Sequence, residues 1–158
     1  MRQRTWVILS LLIFCQIAFS QKSLNKIFLS SKGKWNYPVA DFKSFKSNNN
    51  PSAEFPPNKG VTFNCDSSYF VFAVFKGEVI LVTAYDSLYL VITKYGDYFI
   101  GYASLCNTIV KYGDMLKAGD PIGKMGFDLG GKYSLEMILS SKKEDDIELY
   151  PWFKSAPQ

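Results

Sequence analysis

From Gly60 onward the chain is divided into apolar runs too short to build a long helix. Residues 61–63, 70–74, 79–82, 89–92 and 99–102 are each apolar or alternating, and Gly77, Asp86-Ser87 and Gly96-Asp97 punctuate them. Runs of this length bounded by turn residues read as strands. Gly96-Asp97, set between two such runs, suits a two-residue hairpin turn. Residues 121–125 and 133–139 supply two further strands, and no long stretch repeats at 3.6 residues. Many short strands with turn signals every 8–12 residues predict an all-β fold, a compact antiparallel sandwich or barrel-like domain. The aromatic run Tyr69, Phe70, Phe72, Phe75, Tyr85, Tyr89, Tyr95, Tyr98, Phe99 and Tyr102 fits half-buried pleated surfaces. Residues 35–57 carry prolines and the Asn48-Asn49-Asn50 run, and read as an edge strand and long loops.

The N-terminus has a different character. Arg2 and Arg4 precede an apolar run over residues 6–14, and Ala18-Phe19-Ser20 places small residues where a signal peptidase needs them. Residues 1–20 therefore read as a secretory signal peptide cleaved before Gln21, with an uncleaved anchor as the competing reading. The run is short for a span, which needs roughly 20 apolar residues. Cys15 follows Leu12-Ile13-Phe14 rather than a small residue, which speaks against a lipoprotein site. Export to a periplasmic or extracellular location follows.

Cleavage removes both arginines and leaves 138 residues with 16 lysines against 14 acids, a formal +2. The lysines are scattered among acids, so no nucleic-acid partner is implied. About 140 residues is an ordinary single-domain length. Cys65 and Cys106 remain, and an even count in an oxidising compartment permits a disulfide. Two small buried hydrophobes that never meet is the alternative.

Three segments, in order, carry a resemblance. The first is Asn58-Lys59-Gly60-Val61-Thr62, continued by residues 71–79. The second is Gly101-Tyr102-Ala103-Ser104-Leu105, followed by Val110-Lys111-Tyr112-Gly113-Asp114 and the stretch to Gly123. The third is Lys132-Tyr133-Ser134-Leu135-Glu136. Together they resemble the LytM/lysostaphin-type zinc endopeptidases, which cut peptidoglycan cross-bridges. The likeness runs over roughly residues 33–153 and implies the duplicated hybrid fold of that family, part of which is shared with biotinyl/lipoyl-type barrels. With the N-terminal reading it divides the chain into the signal peptide (1–20), an N-terminal tether (21–32) that could instead be a helical turn, a degenerate peptidase-like domain (33–153) and a C-terminal tail (154–158).

In such enzymes the zinc ligands, a His, an Asp and a His, fall at the positions of Asn58, Thr62 and Ser134. The catalytic histidines fall at Ser104 and Lys132. This chain contains no histidine at all. An amide, neutral hydroxyls and an ammonium cannot offset a dication, and the water activation that zinc provides has no ligand set here. Cys65 lies three residues from Thr62, on the opposite face of a continuing strand. A Ser134–Lys132 nucleophile pair would need a lysine kept neutral, whereas Lys132 follows Gly130-Gly131 at an open loop edge. Glu136 has no second carboxylate placed to pair with it for glycoside hydrolysis, and the glycine-rich residues 127–131 precede a strand rather than a phosphate-binding helix.

The resemblance then implies an exported pseudopeptidase with no cofactor and no catalytic residue. Its former catalytic groove, with Tyr102 and Glu136 as binding candidates, would hold peptidoglycan or a cell-wall enzyme such as an amidase. A structural module of an envelope complex is the alternative, and a residual hydrolase the remote one.

Overall fold

A computed structural model describes residues 20–47, 59–85, 87–127 and 131–155. The strands are β1 (Ser44–Ser47), β2 (Val61–Cys65), β3 (Phe70–Phe72), β4 (Gly77–Tyr85), β5 (Leu88–Tyr95), β6 (Tyr98–Thr108), β7 (Met115–Leu116), β8 (Pro121–Phe127) and β9 (Tyr133–Ser141). All pair antiparallel, in the order β1-β2-β9-β8-β6-β5-β4-β7, with β3 on β8 and a second pairing of β9 with β6. The sheet curls on itself as a half-barrel, the all-β class that the spacing of the runs predicts.

Alternation dictates the core. Val61, Phe63 and Cys65 of β2 point inward with Leu135, Met137 and Leu139 of β9, while Thr62, Asn64 and Glu136 take the other face and are half-buried. Gly96-Asp97 forms the β5–β6 turn, closing the pair Tyr95↔Tyr98. A repeated turn explains the Gly-Asp spacing of the second segment. Lys111-Tyr112-Gly113-Asp114 and Lys117-Ala118-Gly119-Asp120 each place glycine at positive φ (87° and 91°). In each, the aspartate accepts from the backbone N–H of the lysine, at 2.9 and 2.7 Å. The two turns clasp Val79 and Ala73 by reciprocal backbone hydrogen bonds of 2.8 Å.

The segment 21–32, read as a tether or a helical turn, is helical through residue 29 and seated on the domain. Phe28 is fully buried and stacks on Tyr98 at 4.2 Å between ring centroids, with Trp152 at 4.9 Å and Phe75 at 5.0 Å. Gln21 and Asn25 donate to the Asp97 carboxylate, at 3.1 and 2.6 Å. The chain end returns to the same place: Trp35 and Phe153 form a parallel bridge beside the 3-10 turn Tyr150–Trp152.

Candidate functional site

The register of the sheet assembles a polar surface from four strands. Thr62 lies opposite Glu136 and Lys46, and Glu136 opposite Ala103. One step along, Asn64 lies opposite Ser134 and Ser44, and Ser134 opposite Gly126. Residues directly opposite in an antiparallel pair share a face. Two rows therefore cross the side of the sheet away from the core, Lys46–Thr62–Glu136–Ala103 and Ser44–Asn64–Ser134–Gly126. Asn64 Nδ2 donates to Ser44 Oγ at 3.2 Å, tying the second row at its edge.

The far end of that row is closed by backbone. A Cβ on Gly126 would meet Leu88 Cδ2, and would lie 2.7 Å from the Ser104 carbonyl oxygen and 3.2 Å from the Cys106 nitrogen. Only glycine admits β6 this closely. Ser104 itself takes a left-handed φ of 65°, and the β6–β8 register slips beside it, between Leu105 and Asn107. Ser134 sits deep in the row and is 5 % exposed.

Of the expected positions, Thr62, Ser134 and Glu136 come together on this face, with the Ser104 carbonyl at its end. Lys132 is exposed in the turn leading into β9. Asn58 lies outside the described residues. One expectation is corrected, and one open alternative is decided. Tyr102 is not in the groove: it is fully buried on the core face, and its hydroxyl accepts from the Val74 N–H at 3.1 Å. Burial pushes its phenol far above the usual range. Cys65 and Cys106 are unpaired thiols, one buried and one exposed. They lie on β2 and β6, which do not pair with each other. The residues missed from the sequence are Asn64, Ser44 and Lys46. Asn64 was within reach, since it stands two residues from Thr62 on the same strand.

A zinc ion does not fit these residues. The described ligand positions offer the neutral hydroxyls of Thr62 and Ser134, and the single carboxylate beside them is Glu136. Burial raises the Cys65 thiol above its ordinary pKa, which disfavours the thiolate that would bind metal. Among the described residues no group of three His, Cys, Asp or Glu is gathered anywhere. The face instead offers hydroxyls, an amide, a carboxylate and an ammonium in neighbouring registers, a set suited to hydrogen-bonding an extended polar ligand.

Comparison with known proteins agrees with the fold. No curated protein matches the chain in sequence. Among solved structures, Helicobacter pylori Csd3 superposes with a TM-score of 0.63 at 18% identity, covering 80% of this chain and 36% of that one. A zinc-containing peptidase from Vibrio cholerae gives 0.61 at 22% identity, covering 80% and 41%. A chain of the SpoIIQ-SpoIIIAH pore forming complex gives 0.62 at 17% identity, covering 78% and 92%. This chain thus spans well under half the length of the first two. Residues 56–144, more than half of the sequence, match Peptidase family M23. The chain belongs to peptidase family M23, as a LytM-type domain.

Proposed function

We propose that this chain is an exported, non-catalytic M23 domain whose groove binds a partner in the cell envelope, either peptidoglycan or a cell-wall enzyme such as an amidase. One observation carries the reading: the face that would hold zinc presents Thr62 and Ser134 in a chain with no histidine. Hydroxyls, an amide and a carboxylate set side by side on that face supply donors and acceptors for a polar partner without any metal. The similarity to a chain of the SpoIIQ-SpoIIIAH complex supports a role in protein assembly. Among the described residues no helix is long and apolar enough to cross a membrane, and the residue 1–20 pattern supports export.

The test joins two measurements on one sample of purified protein. Metal content and digestion of cell-wall sacculi, with and without added zinc, address catalysis; neither bound metal nor digestion is expected. Binding to sacculi and to purified amidases is then compared between the parent and the half-buried groove variants Thr62→Arg and Glu136→Lys. A loss of binding by about tenfold or more, with an unchanged melting curve, is the expected result. Chelator-sensitive digestion would make the chain an enzyme. Full binding by both variants would move the contact off the groove.

A further inference from the structure

The two edges of the sheet are built differently. β1 is four residues long and carries Lys46, with Lys43 just before it in an ion pair with Asp66 at 3.0 Å. Short, charged edge strands resist pairing with other chains. β4 is nine residues long, and β5 covers one side of it. On its other side Gly77 and Glu78 pair with β7, and Val79 is bonded to Gly113 and Asp114. From there Ile80-Leu81-Val82-Thr83-Ala84-Tyr85 has no strand partner on that side among the described residues. These six residues include no charge, proline or glycine. Thr83 and Ala84 are exposed, Leu81 is 39 % exposed and Tyr85 is 77 % exposed. An uncharged, β-prone edge of this kind is a template for another strand.

We propose that the open edge of β4 is a homodimer interface, in which a second copy of this chain adds its own β4 antiparallel across a two-fold axis. The difference between the edges favours this occupant. Pairing β4 with β1 of another copy would propagate without end and would set a lysine-bearing strand on an apolar one. Pairing β4 with β4 is isologous and closes.

The sequence is also compatible with its own reversal. With the two-fold at Thr83, Thr83 faces Thr83, Val82 faces Ala84, and Leu81 faces Tyr85. Every pair shares a face of the joined sheet, and none sets like charges opposite each other. Tyr85 of each copy would cover Leu81 of the other. That leucine heads the row Leu81–Ile92–Gly101–Ile138, whose end Ile138 is 37 % exposed. The loop carrying Tyr112, 73 % exposed, meets β4 at Val79 through the Gly113 N–H and sets where the added strand would begin.

Sedimentation of the purified full-length chain across the micromolar range is expected to show a monomer–dimer equilibrium. Thr83→Lys sets two ammonium groups opposite each other and is expected to weaken the dimer by about tenfold or more, with an unchanged circular dichroism spectrum. In a Cys15→Ser, Cys106→Ser background, Thr83→Cys is expected to form a disulfide-linked dimer without reductant, whereas Leu81→Cys is not. The cysteine pair keeps the test decisive if the lysine variant fails to fold. A monomer at every concentration overturns the proposal. So does a dimer that tolerates Thr83→Lys and gives no cross-link at position 83.

Discussion

Tyr102 shows how one residue can belong to a functional motif and still serve only the core. It lies in the Gly101–Leu105 segment, yet its ring is fully buried and its hydroxyl is the hydrogen-bond acceptor for the buried Val74 N–H. Tyr102→Phe removes that acceptor and little volume, leaving a donor orphaned. A destabilisation of about 1–3 kcal/mol in urea unfolding is expected, with groove binding unchanged in the folded protein. Loss of binding without loss of stability would return Tyr102 to the groove. The sequence concealed this because strict alternation cannot place both Tyr102 and Leu105 inside, three residues apart. The left-handed turn at Ser104 makes it possible, and no glycine marks it. Thr62, Ser134 and Glu136 were legible, because β2 and β9 alternate without interruption through them.

At the scale of elements, the helix over residues 20–29 is the one least visible beforehand. Its apolar positions, Leu24, Ile27, Phe28 and Leu29, are too few to announce a helix, and its hold on the domain comes from distant partners. Phe28 fills the aromatic cluster, and Asp97 anchors the first turns. Phe28→Ala is expected to cost about 3–5 kcal/mol, read in chemical denaturation with a change in the near-UV aromatic signal. An unchanged midpoint would mean that the helix does not contribute to the fold. The hydrogen bond from Asn25, followed by those from Lys142 and Gln21, holds the Asp97 carboxyl below its ordinary pKa. Because the folded value is the lower one, this stability is fully present above the unfolded value near 3.9 and lost as pH falls through the folded value. Asp97→Asn should therefore melt at a lower temperature than the parent at neutral pH. The difference should shrink as the pH is taken below about 4. A gap that stays constant through that range would show that the carboxylate charge plays no part. The strands themselves were largely readable, from their alternation and from the punctuation by Gly77, Asp86-Ser87 and Gly96-Asp97. β7 was not, because two residues give no period.

For the whole molecule the question is whether a metal is coupled to folding. A site present in the native domain and absent from the unfolded chain stabilises by about 2.7 kcal/mol when the ion is at 100 times its dissociation constant. For a domain of this length that amounts to several degrees in Tm. A zinc-binding M23 domain should melt higher in zinc and fall back in chelator, because its ligands converge only when β2 and β9 pair. Here the same pairing brings Thr62 opposite Glu136 and Asn64 opposite Ser134, which gathers neutral oxygen donors around one carboxylate. The melting temperature is accordingly expected to be the same in excess zinc and in chelator, as measured by calorimetry on the purified chain. A rise of several degrees in zinc, abolished by Glu136→Gln, would identify an oxygen-ligated metal site on this face and contradict the non-catalytic reading. The same rise surviving Glu136→Gln but lost in Cys106→Ser would assign the ion to the exposed thiol and leave the groove metal-free.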